Sequence, residues 1–274
     1  WKSPKTKLIN FIGKDNIVFH CIIFPIILKE HGEYILPTNV PANEFLNLEG
    51  GKISTSRNRA IWVNDYINDF PGKEDVLRYV LCAIAPENKD ADFTWKDFQA
   101  RNNNELVSIL GNFINRVIVL TNKYWEGEVP KRNITNKEDE IILNKIAGFP
   151  NKIGESIENY KFREGLYQLI DLARLGNKYL AEQEPWKLFK INLERTETVL
   201  NICLQIVFSL SVLSKPFLPE TSNKICEILN FRFESWNCSK KTNNLKPKHK
   251  IKKAKHLFSI ISDEKIQEQI DKLN

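Results

Sequence analysis

The chain has 274 residues, of which 42% are hydrophobic and 27% are charged, and its net charge is +6. This balance excludes an intrinsically disordered protein, and the length is sufficient for two domains that each bury a core. No apolar run approaches the roughly 20 residues that a membrane span needs, so we expect no membrane association.

The sequence begins at Trp1 and contains no methionine, so we expect it to belong to a longer protein. Its cysteines are odd in number, widely spaced and without a CxxC pair; they are Cys21, Cys82, Cys203, Cys226 and Cys238. This pattern is typical of reduced thiols rather than of disulfides or a zinc knuckle. We therefore predict a cytoplasmic protein with no metal site in this segment.

The first part of the chain alternates between extended and helical patterns. In order, we predict a short buried strand over Lys7–Ile12, a buried helix over Ile17–Leu28 that ends at Gly32, an extended stretch over Tyr34–Leu48, and a glycine turn at Glu49-Gly50-Gly51. Strand, helix, strand and glycine-rich loop together indicate the closing part of a doubly wound nucleotide-binding sheet.

The glycine turn opens into a polar loop with three hydroxyls and two cations in close sequence. Its chemical groups belong to Lys52, Ser54, Thr55, Ser56 and Arg57. Such a loop offers backbone N–H groups, hydroxyls and positive charge to a polyphosphate. A polar loop that only caps the helix starting near Arg59 remains the alternative.

From Asp75, a candidate N-cap, the pattern changes to helices only. An amphipathic stripe over Val76–Ile84 stops at Pro86, and the longest helix begins near Asn102 and reaches Tyr124. Further helical patterns cover residues 136–159, 163–180, 196–213 and 221–229. Because the connections are short, we predict an antiparallel bundle.

Two features of the helical part concern nucleic acid. Asn112 and Arg116 are four residues apart, hence on one helix face, where amide and guanidinium groups can read base edges and phosphate. Trp186 follows Pro185 at the start of a new element, where an indole either packs in the core or offers a stacking surface. An ordinary helix surface and a core tryptophan are the alternatives.

The segment from Lys240 to His256 contains eight lysines, two histidines and no acidic residue. It is either a solvated loop or a surface that faces phosphates.

Several motifs resemble those of the class I aminoacyl-tRNA synthetases, and of the methionine enzymes in particular. Lys52–Ser56 is similar to the mobile KMSKS signature, and Phe11-Ile12-Gly13-Lys14-Asp15, followed by Phe19-His20, is similar to the FIGKD and FH segments. The resemblance continues through Asp92–Trp95, Arg101–Asn103, Asn112–Arg116 and Glu184-Pro185-Trp186, and so covers nearly the whole chain.

The resemblance implies an α/β, Rossmann-like C-terminal portion of a catalytic domain followed by an all-α antiparallel bundle. It implies that methionine is joined to ATP, used with Mg²⁺, as an adenylate and then passed to tRNA(Met). It also implies these sites: Gly13, Lys14, Asp15 and Lys52 for ATP; His20 and Asn16 for methionine; Lys52, Ser54, Thr55, Ser56 and Arg57 for catalysis; and Asn112, Arg116 and Trp186 for the anticodon. Zinc is expected only in a part of the family's sequence that precedes Trp1.

One departure from the family pattern affects catalysis. Where the signature has its second lysine, this chain has Thr55. Lys52, with Arg57, must then stabilise the charge that develops on the leaving pyrophosphate.

Three domain segments follow from these patterns. They are residues 1–74 for the catalytic portion, residues 75–239 for the helical anticodon-binding domain with a connecting region over 75–100, and residues 240–274 for a basic linker and terminal helix. A class I synthetase of cysteine or leucine type, and a non-catalytic tRNA-binding module derived from a synthetase, are the alternatives.

Overall fold

The computed structural model describes residues 1–273, which divide into two compact units. The first unit contains residues 1–60 and 84–94, and the second contains residues 61–83 and 95–272. This division rests on packing alone and does not test where functional domains begin. The boundaries after residues 74 and 239 therefore stay predictions.

The first unit contains five short strands in two sheets. They are β1 (Ile12–Gly13), β2 (Ala42–Asn43), β3 (Leu46–Leu48), β4 (Gly51–Lys52) and β5 (Ala91–Phe93). Strands β1 and β2 pair in parallel across an intervening helix, as the predicted strand, helix and strand require. In the other sheet, β3 lies between β4, with which it is antiparallel, and β5, with which it is parallel.

The helix between β1 and β2 is present but is not buried. It begins with a π-helical turn, Phe19–Ile23, and continues as α1 (Phe24–His31), which ends at Gly32 with φ 78° as predicted. Only Leu28 is buried, whereas Phe19 is 58% exposed and most of the other apolar side chains are also in solvent. The prediction of a buried helix is therefore wrong, because a sheet of two short strands covers little of a crossover helix.

The second unit is helical. Its α-helices are α2 (Val63–Asp69), α3 (Glu74–Ala83), α4 (Trp95–Arg101), α5 (Asn112–Trp125), α6 (Lys137–Glu158), α7 (Phe162–Gln183), α8 (Pro185–Leu188), α9 (Leu193–Leu213), α10 (Pro219–Leu229) and α11 (Asp263–Asp271). The four later helical patterns that the sequence predicted correspond to α6, α7, α9 and α10. The all-α part of the fold prediction is therefore confirmed.

The helix predicted to begin near Asn102 begins at Trp95. Helices α4 and α5 are joined without a break by a π-helical segment, Asn102–Gly111. Trp95 and Phe98 on α4 are buried, as are Leu106 and later apolar residues. The wider π turns shift the apolar stripe out of a single 3.6-residue period, so the periodicity of α5 does not extend back to α4.

Helix α9 forms the centre of the second unit. Every residue from Thr198 to Leu213 is buried, and α5, α6, α7, α8 and α10 pack around it. By length and apolar composition it is the one helix among the described residues that could cross a membrane, contrary to the expectation that no segment reaches that length. Its apolar window is 94% buried inside the protein, which is the position of a core helix.

Asp75 caps a helix other than its own. We predicted it as the N-cap of α3, but α3 begins at Glu74 and includes Asp75 in its first turn. The Asp75 carboxylate accepts hydrogen bonds from the backbone N–H and the hydroxyl of Thr221, at 2.6 and 2.7 Å, in the first turn of α10. The residue type was a correct sign of capping, and the helix assignment was wrong.

A buried carboxylate joins the ends of α6, α7 and α9. Asp139 is fully buried and is ion-paired with Arg195, whose Nη2 also donates to Gln183 Oε1 at 2.5 Å. Tyr179 donates its hydroxyl to Asp139 Oδ1 at 2.5 Å. Burial raises the pKa of Asp139, but the hydrogen bonds from Arg195 and Tyr179 outweigh it and leave the pKa below its usual range.

We predict that Asp139→Asn lowers the free energy of unfolding by about 3 kcal/mol at pH 7, because it leaves Arg195 half-buried without its counter-charge. A lowered carboxylate pKa stabilises the fold above the unfolded pKa of about 4, and that contribution disappears as the pH falls through the folded pKa. Urea unfolding between about pH 7 and pH 3 should therefore show a steeper acid loss for the parent than for Asp139→Asn.

Asp171→Asn is the matched control, since Asp171 pairs with Arg174 at the surface. It should change stability by less than about 1 kcal/mol. Equal pH profiles for the parent and Asp139→Asn would contradict the assignment.

Candidate functional site

The loop that follows β3 is a tight hairpin at its base. Glu49 and Gly50 occupy its turn with φ of 47° and 71°, a left-handed pair that suits a two-residue connection between antiparallel strands. The Arg59 guanidinium donates to the carbonyls of Leu48 and Glu49 at 3.1 and 3.0 Å. A Cβ on Gly51 would lie 2.9 Å from that guanidinium, so a larger residue there would require the Arg59 side chain to shift.

The tip of the loop is closed by a second pair of backbone bonds. Ser54 and Arg59 exchange two N–H···O bonds of 2.9 Å each, and Asn58 donates to the Thr55 carbonyl at 3.1 Å. The hydroxyls of Ser54 and Ser56 are 3.2 Å apart. Thr55 to Asn58 therefore project as a compact polar tip rather than as an unstructured loop.

Lys52 and Arg57 are the cations of this loop that remain available. Both are exposed, and neither side chain makes an ion pair or hydrogen bond with any residue in the described part of the chain. Arg59, by contrast, is committed to the hairpin carbonyls. The loop thus presents two unpaired positive charges and three hydroxyls to solvent, which suits a polyphosphate.

Lys14, which the family resemblance assigns to ATP, has protein partners in the structure. Its ammonium group pairs with Glu44 and, at 2.9 Å, with Asp90, and it lies 4.4 Å from the centre of the Phe45 ring. The hydrogen bond to Glu44 is the main cause of a raised pKa for Lys14. A ligand phosphate would have to compete with two carboxylates for this cation.

The other residues predicted for ATP and methionine lie in consecutive turns after β1. A Cβ on Gly13 would meet the Asp15 carboxylate at 2.6 Å, so Asp15 folds back over the glycine. The His20 ring nitrogen Nδ1 lies 3.2 Å from the carbonyl of Asn16, and that ring is tilted against Phe24. Gly13, Asp15, Asn16 and His20 are therefore brought together in one short segment.

In the helical unit, Arg116 and Trp186 are in contact. The Arg116 guanidinium carbon lies 5.3 Å from the centre of the Trp186 ring, although 70 residues separate them in sequence. The Arg116 side chain makes no hydrogen bond or ion pair with another described residue, so its N–H groups are open to a ligand. Asn112, one turn earlier on α5, is exposed, and its side-chain amide has no hydrogen-bond partner among those residues.

The position of Trp186 depends on a sharp turn between α7 and α8. Glu184 adopts a left-handed conformation with φ 40°, which ends α7, and Pro185 begins α8 at the first helical position. Trp186 is half-buried, so it is neither a fully buried core residue nor a free surface residue. Gln183, which bonds the buried Arg195, comes immediately before this turn.

A second set of aromatic contacts joins α5 to the end of α8, and the sequence patterns did not predict it. Tyr124 stacks on Phe189 with ring centres 4.1 Å apart, and Trp125 meets Phe189 edge to face. The signal was present in the spacing, because Tyr124 lies eight residues after Arg116 and Phe189 lies three after Trp186. Both offsets return to the same helix face.

Within residues 1–273, no cluster of three or more His, Cys, Asp or Glu side chains is placed to hold a metal ion. All five cysteines are free thiols, and burial raises the pKa of the Cys203 thiol.

Comparison with known proteins gives two family matches. Residues 1–118 match the family of class I tRNA synthetases (M), and residues 129–274 match the anticodon-binding domain of methionyl tRNA ligase. Similar relatives include a methionine–tRNA ligase of Christiangramia forsetii, 56% identical over 280 residues, and one of Flavobacterium psychrophilum, 58% identical over 275. Each covers all of this chain, and the chain spans about 40% of the length of each.

Solved structures show the same fold. The chain resembles Mycobacterium tuberculosis methionyl-tRNA synthetase bound by methionyl-adenylate, with a TM-score of 0.82 and 23% identity over 92% of this chain and 50% of that one. The apo form of the same protein gives a TM-score of 0.80 and 22% identity, covering 93% of this chain and 50% of that one.

Proposed function

We propose that this chain, which belongs to the methionyl-tRNA synthetase family, supplies the signature loop and the anticodon-binding domain of an enzyme that attaches methionine to tRNA(Met) in the cytoplasm. The reaction consumes ATP, with Mg²⁺ as its counter-ion, and proceeds through methionyl-adenylate. The observation that carries this proposal is the contact between Arg116 and Trp186 beside the exposed Asn112. Family membership sets aside the cysteine and leucine types of synthetase.

The contact between Arg116 and Trp186 supports anticodon recognition because it fixes both groups before a ligand arrives. The guanidinium carbon lies 5.3 Å from the centre of the indole, a cation–π contact worth about 0.5–2 kcal/mol, and the guanidinium N–H donors have no partner among the described residues. Those donors and the Asn112 amide suit the edges of unstacked bases, and the indole offers a surface for stacking. The arrangement loses little conformational freedom on binding.

The signature loop supports the adenylation step through its two free cations. As pyrophosphate leaves, negative charge accumulates on it and must be stabilised by groups already in place. Lys52 and Arg57 have no counter-charge among the described residues, whereas Arg59 and Lys14 are both occupied. We therefore assign the cationic role of the missing second lysine to Lys52 and Arg57. Gly13, Asp15, Asn16 and His20 would contact ATP or methionine from the segment after β1.

We predict that Trp186→Ala weakens binding of an anticodon stem–loop RNA with CAU by about tenfold to a hundredfold, the value of one base stacked on an aromatic ring. Asn112→Ala and Arg116→Ala should narrow the difference in affinity between CAU and a loop with one altered anticodon base, because base-edge contacts carry sequence. Fluorescence anisotropy with the 274-residue chain measures both effects.

Tyr167→Ala is the matched control, because Tyr167 lies under Arg174 at 5.6 Å in a similar cation–π pair on α7. It should leave both affinities unchanged. If all three site variants discriminate between the two loops as well as the parent does, these residues do not read the anticodon.

We also predict that Lys52→Ala lowers the rate of methionine-dependent ATP–pyrophosphate exchange about a hundredfold to a thousandfold, with little change in methionine KM. Thr55→Lys should be neutral or mildly activating. The measurement uses a protein of the relatives' length that contains this chain, with Lys5→Ala as the control at an exposed lysine. An unchanged rate for Lys52→Ala would move the role to Arg57. Absence of exchange in the parent protein would favour a non-catalytic tRNA-binding module.

A further inference from the structure

The basic run between Lys240 and His256 is not a freely solvated loop. We call its second part, residues 245–256, the basic strap. The backbone of the strap is hydrogen-bonded to the helical bundle. Gln205 on α9 bonds both the N–H and the carbonyl of Leu245, and Leu245 is 1% exposed. The strap is therefore fixed at its start by the most buried helix of the unit.

The middle of the strap pairs with the segment that follows α5. Lys248 and Ile251 donate their N–H groups to the carbonyls of Val129 and Gly127, both at 2.8 Å, and Ile251 is buried. The His249 ring nitrogen Nε2 lies 2.7 Å from the carbonyl of Leu229 at the end of α10. These contacts hold the strap against the C-terminal end of α5.

From Lys252 to Ile261, the end of the strap and the residues that follow it run antiparallel to the long helix. Asn122 bonds the Lys252 carbonyl at 3.1 Å, the Phe258 ring reaches Gly111, and Asn103 bonds the Ile261 carbonyl at 3.0 Å. These contacts also fix which side of the helix this segment occupies.

The strap lies next to the stripe that carries the anticodon residues. Successive residues of an α-helix are rotated by about 100° about its axis. Asn112 and Lys123 therefore lie about 100° about the helix axis from Gly111 and Asn122, the residues that contact the segment containing the strap. Asn112, Lys123 and the intervening Arg116 form a stripe of about 16 Å along α5, in which Asn112 and Lys123 are exposed and Arg116 is half-buried. One flank of this stripe is the strap, and the other is Trp186 on α8.

The cations along this flank lack counter-charges. Lys123, Lys253 and Lys255 are exposed, and none makes an ion pair with another described residue, whereas Lys250 pairs with Glu128 at 3.3 Å. The bond from Asn122 to the Lys252 carbonyl holds the next residues on each segment, Lys123 and Lys253, at the same level. Exposed cations without counter-charges give this flank a positive potential that attracts an anion.

We propose that Lys123, Lys253 and Lys255 bind the sugar–phosphate backbone of a single-stranded RNA loop whose bases face Arg116 and Trp186. The inference rests on the proposed function and assigns different parts of the RNA loop to the two flanks of the stripe. The α8 flank contacts bases, and the strap flank contacts phosphates. Phosphate contacts fix the position of the loop without reading its sequence.

The test compares two triple variants that remove equal charge from the 274-residue chain. One is K123Q/K253Q/K255Q, and the control is K145Q/K152Q/K161Q, which changes exposed lysines on and just after α6. Binding of CAU and altered-anticodon stem–loops is measured by anisotropy between about 50 and 200 mM salt. A duplex RNA of equal length without a loop is measured in parallel.

The variant K123Q/K253Q/K255Q, called the strap variant, should have a less negative slope of log K against log salt concentration. The slope should change by about 0.7 for each phosphate that the variant no longer neutralises, up to about 2 in total. The strap variant should weaken both stem–loops by the same factor and leave duplex binding at the level of the control. A slope equal to that of the control, or an equal weakening on duplex RNA, would overturn the inference.

The two proposals fail in different ways. If the parent does not distinguish CAU from the altered loop, the proposed function fails. If the parent distinguishes them and Trp186→Ala weakens binding, but the strap variant behaves as the control does, only the strap inference fails. Thermal unfolding of both triple variants confirms that the exposed substitutions leave the fold intact.

Discussion

The burial of α9 on all sides is the constraint on which the helical unit depends. An apolar helix with no solvent-facing side must be covered completely, and five other helices pack around it for that reason. The few polar residues of α9 then have specific bonds to make. Asn201 bonds the Pro130 carbonyl and Gln205 bonds the backbone of Leu245, so the core helix also fixes two irregular segments.

The proposed anticodon site in this unit depends on elements that are themselves short. Helix α8 has four residues, too few to be stable alone, and it is placed by the left-handed Glu184, by packing on α9 and by the stack of Phe189 on Tyr124. The buried pair of Asp139 and Arg195 reaches the same place through Gln183. The Trp186 indole therefore stands on a rigid support, as a stacking surface for a flexible RNA loop requires.

Local patterns predicted the helices, the glycine turns and the common face of Asn112 and Arg116, because those features depend on residues a few positions apart. Features set by distant partners were not predictable in this way. Asp75 was correctly suspected as a cap, but its partner Thr221 is 146 residues away. The occupation of Lys14 by Glu44 and Asp90, the contact of Arg116 with Trp186 and the pinning of the strap each needed the tertiary structure.

Within about ten residues, the loop after β3 contains positions that hold the backbone in place and a position that does not. At its base, Gly51 and Arg59 are fitted to each other, and the arginine bonds hold the hairpin turn, so a larger residue at position 51 disturbs those bonds. At its tip, the side chain of Thr55 is exposed and supports nothing in the described part of the fold. A substitution at such a position costs the fold little stability, so under the proposed function only the chemistry of phosphate binding restrains it. An exchange between lysine and threonine there leaves the scaffold around it unchanged.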